Sequence, residues 1–120
     1  MRTFLALLLA LCGQAAASPL PSTVGQCAET AIAELGVNPT GAPGGGSTIR
    51  YANGGMQISF DKLDELETAR IGDPIRICLI FQAKDCQPGD ERGRVYRATN
   101  LRTGLSWEAP NTLMHNCAGA

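Results

Sequence analysis

Apolar and polar positions alternate most regularly between Ile75 and Phe81, where Ile75, Ile77, Leu79 and Phe81 form one wholly apolar row. Period-2 spacing of this kind predicts a half-buried strand. Two further strands are predicted over Arg94–Asn100 and Gly104–Ala109, with Gly104 as the φ > 0 residue that closes the hairpin loop between them. A second hairpin, Thr48–Ala52 and Gly55–Phe60, surrounds Asn53-Gly54, a dipeptide suited to a two-residue type I′ turn. Its expected inward side chains are Ile49 and Tyr51 on one arm, with Met56, Ile58 and Phe60 on the other.

Earlier in the chain the period changes. Val24, Cys27, Ala28, Ala31, Ile32 and Leu35 fall at i, i+3, i+4, i+7, i+8 and i+11, which predicts an amphipathic helix. Thr23 and Gln26 match a capping box, and Gly36 stands where a left-handed residue ends a helix. So short a helix is marginal alone and must dock its stripe on the sheet. Residues 38–47, rich in Gly and Pro, read as a flexible connector whose Gly44, Gly45 and Gly46 tolerate substitution. Asp61 is placed to cap a short helical turn through Leu63 and Leu66. The expected fold class is therefore α+β: one N-terminal amphipathic helix packed on a small, mostly antiparallel five-strand sheet, braced by disulfides.

The first residues bear on the compartment. Met1-Arg2 and the apolar run from Phe4 to Cys12 match an export leader, with Ala15-Ala16-Ala17 as small residues at the cleavage position. The run is too short to span a bilayer, and no later stretch is long enough. Residues 1–17 are expected to be a signal peptide, leaving 18–120 as one small domain in the periplasm or medium. Leu9-Ala10-Leu11-Cys12 approaches a lipobox, but Leu11 is too large for the position before the cysteine. Charge is near balance, with Lys+Arg 10 against Asp+Glu 11, which argues against nucleic acid as a principal partner.

With Cys12 in the leader, Cys27, Cys78, Cys86 and Cys117 remain, and disulfides are the default in an exported chain. Three connectivities are possible. The loop after the central strand and the tail meet at one sheet edge, which favours Cys86–Cys117 and leaves Cys27 on the helix stripe to reach Cys78. Zinc is disfavoured, because no pair has C-x-x-C spacing and His115 is the sole histidine.

Catalysis needs groups that converge, and few candidates exist. There is no G-x-S-x-G elbow, and Gly44-Gly45-Gly46 lacks the Lys-Ser/Thr and helix of a phosphate loop. Asp61, Asp64, Glu65 and Glu67 lack the pattern of a calcium loop and read as a solvated face. No cofactor or metal is expected. The arginines are more suggestive. Arg76, Arg94, Arg97 and Arg102, with Tyr96, lie on neighbouring strands and can present a fork to a carboxylate, a phosphate or an acidic partner surface. The competing reading is a solvated sheet face paired with Asp73, Asp90, Glu91 and Glu108. Trp107 shares a face with Leu105 and reads as core.

The combination GDPIRIC, DCQPGDERGRVYRATNLRTGLSW and a C-terminal His-x-Cys resembles a group of small exported proteobacterial proteins without an assigned function. The resemblance runs from about Ile49 to Cys117. It implies a periplasmic or secreted location and a disulfide-bearing, β-rich fold, and it hands over no catalytic residue. Leu113-Met114 departs from the polar run expected before His115.

Taken together, these features point to a non-catalytic binding module of the cell envelope. Its partner is expected to be an envelope protein, including an enzyme that it inhibits, or a small anionic ligand. The expected binding surface is Arg76, Arg94, Tyr96, Arg97 and Arg102, because Arg and Tyr are favoured at binding hot spots. The alternatives are a small hydrolytic enzyme using His115 as acid–base group, and a passive envelope component. Export should leave Ser18 as the N-terminus of protein recovered from periplasm or medium. An intact mass carrying an acylated Cys12 would contradict this.

Overall fold

Long-range antiparallel pairing organises the described residues. The computed structural model describes residues 18–112 except 42 and 85. Its strands are β1 (Cys27–Asn38), β2 (Gly46–Tyr51), β3 (Met56–Ser59), β4 (Pro74–Gln82), β5 (Arg94–Asn100) and β6 (Ser106–Pro110), with one 3-10 turn at Asp64–Leu66. They form a single six-stranded sheet in the order β3-β2-β1-β4-β5-β6. Every neighbouring pair is antiparallel, and the sheet curls into a half-barrel.

The expected α+β class is thus overturned. The segment predicted as a helix is the long strand β1, and the sheet has six strands rather than five. Two irregularities explain the misreading. Ala28, Thr30 and Ile32 alternate inward, at 6%, 4% and 2% exposure. A bulge between Ile32 and Glu34 then adds one residue, so the next inward side chain is Leu35, opposite Ile49. Inward positions at 28, 32 and 35 have the spacing of a helix stripe, although they lie on a strand. The capping-box pair is likewise a turn: Gln26 N–H donates to Thr23 O (3.0 Å), with Gly25 at φ 97° in the third position, as a type II turn requires. Gly25 N–H donates to Leu79 O (2.9 Å) and Leu79 N–H to Gln26 O (3.0 Å), a glycine bulge that sets the β1–β4 register. As a strand, β1 pairs its main chain with β4 along Cys27–Ala31 and with β2 from Ile32 onward. A lone short helix cannot match that gain.

Cys27 and Cys78 stand opposite each other in this register and are joined as a disulfide. The expected pairing holds, through strand register rather than a helix stripe. The Cys86–Cys117 expectation lies outside the described residues, because Cys117 does.

The β4 row forms the core. Ile75, Ile77 and Leu79 are fully buried, but Phe81 is 53% exposed because a further bulge, between Leu79 and Phe81, turns it outward. A similar slip affects the first hairpin. Tyr51 N–H donates to Gly55 O (2.9 Å) and Gly54 N–H to Tyr51 O (3.0 Å), so the loop holds three residues, not two, and Gly54 takes the positive φ. The extra residue exchanges the faces of β3. Gln57, not Met56 or Ile58, lies opposite Ile49 and is fully buried, while Phe60 is exposed.

Gln57 closes the half-barrel. Its Oε1 accepts from the Tyr51 hydroxyl and from Trp107 Nε1–H (3.0 Å), and its Nε2 donates to Tyr96 O (2.8 Å) and Ala109 O (3.1 Å). One side chain of β3 thereby ties down β5 and β6. The segment before β1 is held as well: Ser18 N–H donates to Glu29 O (2.8 Å), and buried Pro21 accepts from the Tyr96 hydroxyl at 3.4 Å.

The glycine run differs from expectation at Gly46, which opens β2 opposite Asn38. A Cβ there would overlap the carbonyl oxygens of Ser59 and Phe60, whereas a Cβ on Gly104 meets open space and is opposed only by φ 80°. Gly104→Val should cost about 1–2 kcal/mol for its left-handed backbone. Gly46→Val should be far worse and lower the melting temperature much further. Equal melting temperatures would contradict the β2 assignment.

Candidate functional site

The five residues expected to form one surface are dispersed. On the outer face, strand register lines up Glu29, Arg76, Thr99 and Ser106 in one row, and Cys27, Cys78, Arg97 and Glu108 in the next. Arg76 and Arg97 are therefore brought together beside the disulfide. Both have carboxylate neighbours: Arg76 lies 3.9 Å from Glu29, and Arg97 Nε donates to Glu108 Oε2 at 2.8 Å. A third row, Phe81, Val95 and Pro110, adds apolar surface.

Arg94 and Tyr96 point the other way. Arg94 Nε donates to Gln82 Oε1 (2.7 Å), and Tyr96 is fully buried, so its hydroxyl is pushed up by burial. Arg102 sits beyond the opposite end of β5 and serves the fold. Its Nε donates to Asp73 Oδ1 (2.6 Å) and its Nη2 to Asp73 Oδ2 (3.0 Å), while Asn100 Nδ2 donates to Asp73 Oδ2 (2.8 Å). Buried Asp73 thus clamps the turn before β4 to the β5–β6 loop. Hydrogen bonding from Arg102 above all, against an opposing burial effect, holds its carboxyl well below the usual carboxylate range. Asp90 is held down to about 2, chiefly by side-chain hydrogen bonds from Arg92. Three of the four carboxylates named as structural partners, Asp73, Asp90 and Glu108, do pair with arginines. His115 lies outside the described residues.

A concavity among the described residues lies elsewhere. A groove of about 420 Å³ runs along Leu35, Gly36 and Val37 of β1 and is walled by Leu63 and Leu66, with Gly44, Gly46 and Ser47 at its far side. Lys62 and Glu67 stand at its rim and pair with each other at 3.2 Å. Leu63 N–H donates to Ser47 Oγ (2.9 Å), which fixes the wall against β2. Val37 is 67% exposed, the highest value among the exposed large apolar side chains. Sequence reasoning placed Leu35 on a helix and so missed the groove, although the short helical turn that it expected through Leu63 and Leu66 is present as the 3-10 turn Asp64–Leu66. The available signal was Val37 itself, an isolated apolar residue between Gly36 and Asn38.

Among the described residues no cluster of His, Cys, Asp and Glu is arranged to hold a metal ion, and no helix is long and apolar enough to cross a membrane. Comparison with family models, curated proteins and solved structures finds no match.

The Asp73 clamp sets a pH dependence. A carboxyl with a lowered folded pKa contributes stability that is present above its unfolded pKa, near 3.9, and is lost as pH falls through the folded value. The melting temperature should fall as pH drops from about 5 toward 2. Asp73→Asn should melt lower than wild type at neutral pH and show a flatter acid limb. Parallel pH profiles for the two proteins would contradict the clamp.

Proposed function

We propose that this chain is a non-catalytic binding module of the cell envelope, and that it holds its partner at the groove between the end of β1 and the Lys62–Glu67 segment. One observation carries the reading: an apolar groove of about 420 Å³, of the size that binding pockets have, flanked by a large apolar residue left in water. The ionisable groups with lowered pKa values, Asp73 and Asp90, are engaged with Arg102 and Arg92 in ion pairs that hold turns together. The Cys27–Cys78 bridge and the leader-like N-terminal pattern support an oxidising, extracytoplasmic compartment. The partner class that fits is an envelope protein rather than a small anion, because the groove is apolar and its two rim charges cancel.

Val37→Asp places a charge in the groove at an exposed position, so the fold should survive. A partner captured from envelope extract, purified and titrated back, should lose at least tenfold in affinity for Val37→Asp, the loss of more than about 1.4 kcal/mol of apolar contact. It should bind Arg76→Ala/Arg97→Ala as it binds wild type. Loss confined to the arginine variant would move the site to the outer face and refute the groove.

A further inference from the structure

The groove borders a strand edge that the sheet leaves unused. Tyr51 N–H donates to Gly55 O, so odd-numbered β2 residues turn their main chain toward β3. The even residues Gly46, Thr48 and Arg50 face β1, opposite Asn38, Gly36 and Glu34. Leu35 and Val37, between those positions, turn their N–H and C=O groups away from β2. Over Cys27–Ala31 that side of β1 is covered by β4. Ile32 is the last residue served there: its N–H donates to Asp73 O (3.0 Å), and its carbonyl accepts from Gly72 N–H (2.8 Å). β4 itself begins at Pro74, opposite Ala31, so its ladder stops short of Leu35. Outside the strand ladder, no hydrogen bond among the described residues reaches the main chain of Leu35 or Val37.

We propose that the Leu35–Val37 edge of β1 receives an extended peptide segment of a partner protein as an added antiparallel or parallel strand, with an apolar side chain of that segment seated in the adjoining groove. This rests on the groove being the binding site. The main chain dictates the ligand class. Two donor–acceptor pairs two residues apart repeat at roughly 6.7 Å along a strand, and another extended main chain repeats its own groups at that spacing. The groove is lined by Leu35, Gly36 and Val37 of β1 and reaches across to Gly46 and Ser47 of β2, so it lies over the end of the β1–β2 face beside that edge, within reach of a side chain from an added strand. Leu63 and Leu66 offer apolar walls, and the Lys62–Glu67 pair leaves the rim neutral, which suits an uncharged segment centre. Unused edges are commonly blunted by a charged residue or a proline on the strand, and neither Leu35 nor Val37 is one.

The discriminating variant is Val37→Pro. It keeps an apolar side chain in the groove and removes one main-chain donor that the β1–β2 ladder does not use. Val37→Ile keeps both the donor and the shape. The probe is a capped heptapeptide of alternating valine and threonine flanked by lysines, added to the exported protein with its disulfides intact. The readouts are amide hydrogen exchange at Leu35 and at residue 37, and methyl shifts of Leu63 and Leu66. Peptide should slow exchange of both amides by about tenfold or more in wild type and in Val37→Ile. In Val37→Pro it should leave Leu35 unprotected and bind at least tenfold more weakly. Methyl shifts without amide protection would overturn strand addition and leave the groove as the site. Neither methyl shifts nor protection at millimolar peptide would overturn both. Protection that rises with protein concentration in the absence of peptide would assign the edge to a second copy of the chain, against the proposal.

Discussion

Closure of the sheet depends on one buried amide. The strands β3 and β6 stand at opposite ends of the sheet order, and Gln57 joins them through its side chain. A primary amide has two lone pairs and two N–H donors, and here all are used: the Tyr51 hydroxyl and Trp107 indole donate in, and the carbonyls of Tyr96 and Ala109 accept. In so dry a setting each bond is strengthened and each loss is costly. The network therefore selects a single curvature for the sheet. It also fixes the Tyr51 hydroxyl, which burial pushes up and keeps protonated as a donor. With the curvature set, the inner faces of β4, β5 and β6 meet β1 and β2 around Ile49, Ile77 and Trp107.

What could be read from the sequence was whatever depended on local periodicity. The β4 row, the β5–β6 hairpin with its Gly104 turn, and the burial of Trp107 all follow from period-2 alternation and turn chemistry. The misreadings occur where one extra residue breaks the period. The bulge at Ile32/Glu34 gives β1 a helix-like spacing, the bulge at Leu79/Phe81 turns Phe81 outward, and the three-residue loop at 52–54 brings Gln57 inward. Neither of these two bulges carries a glycine or proline of its own, so no local pattern announces either. Cys27–Cys78 was reached despite this, because Cys27 faces Cys78 in the strand register as it would have done from a docked helix.

The candidate site was less legible for the same reason. The arginines were visible as residue types, but their partners are set by pairing across strands: Glu108 for Arg97, Glu29 for Arg76, and Asp73 for Arg102 across 29 positions of sequence. Those pairings engage Arg97 and Arg102 through hydrogen bonds, whereas Arg76 only approaches Glu29, at 3.9 Å. The groove exists because β4 begins at Pro74 and covers only the first part of β1, which leaves the Leu35–Val37 end with β2 alone. That stagger is a property of the whole sheet.

The most direct test of closure by Gln57 is the unfolding free energy of Gln57→Leu against wild type, by denaturant titration. Leucine fills similar volume but strands the Tyr51 hydroxyl and the Trp107 N–H. A loss of about 3 kcal/mol or more is expected from unmet buried donors, with Gln57→Leu/Tyr51→Phe recovering part of it. The same substitution should expose Trp107 to quencher as β3 and β6 part. A loss below about 1 kcal/mol, with Trp107 still shielded, would mean that apolar packing alone holds the half-barrel shut.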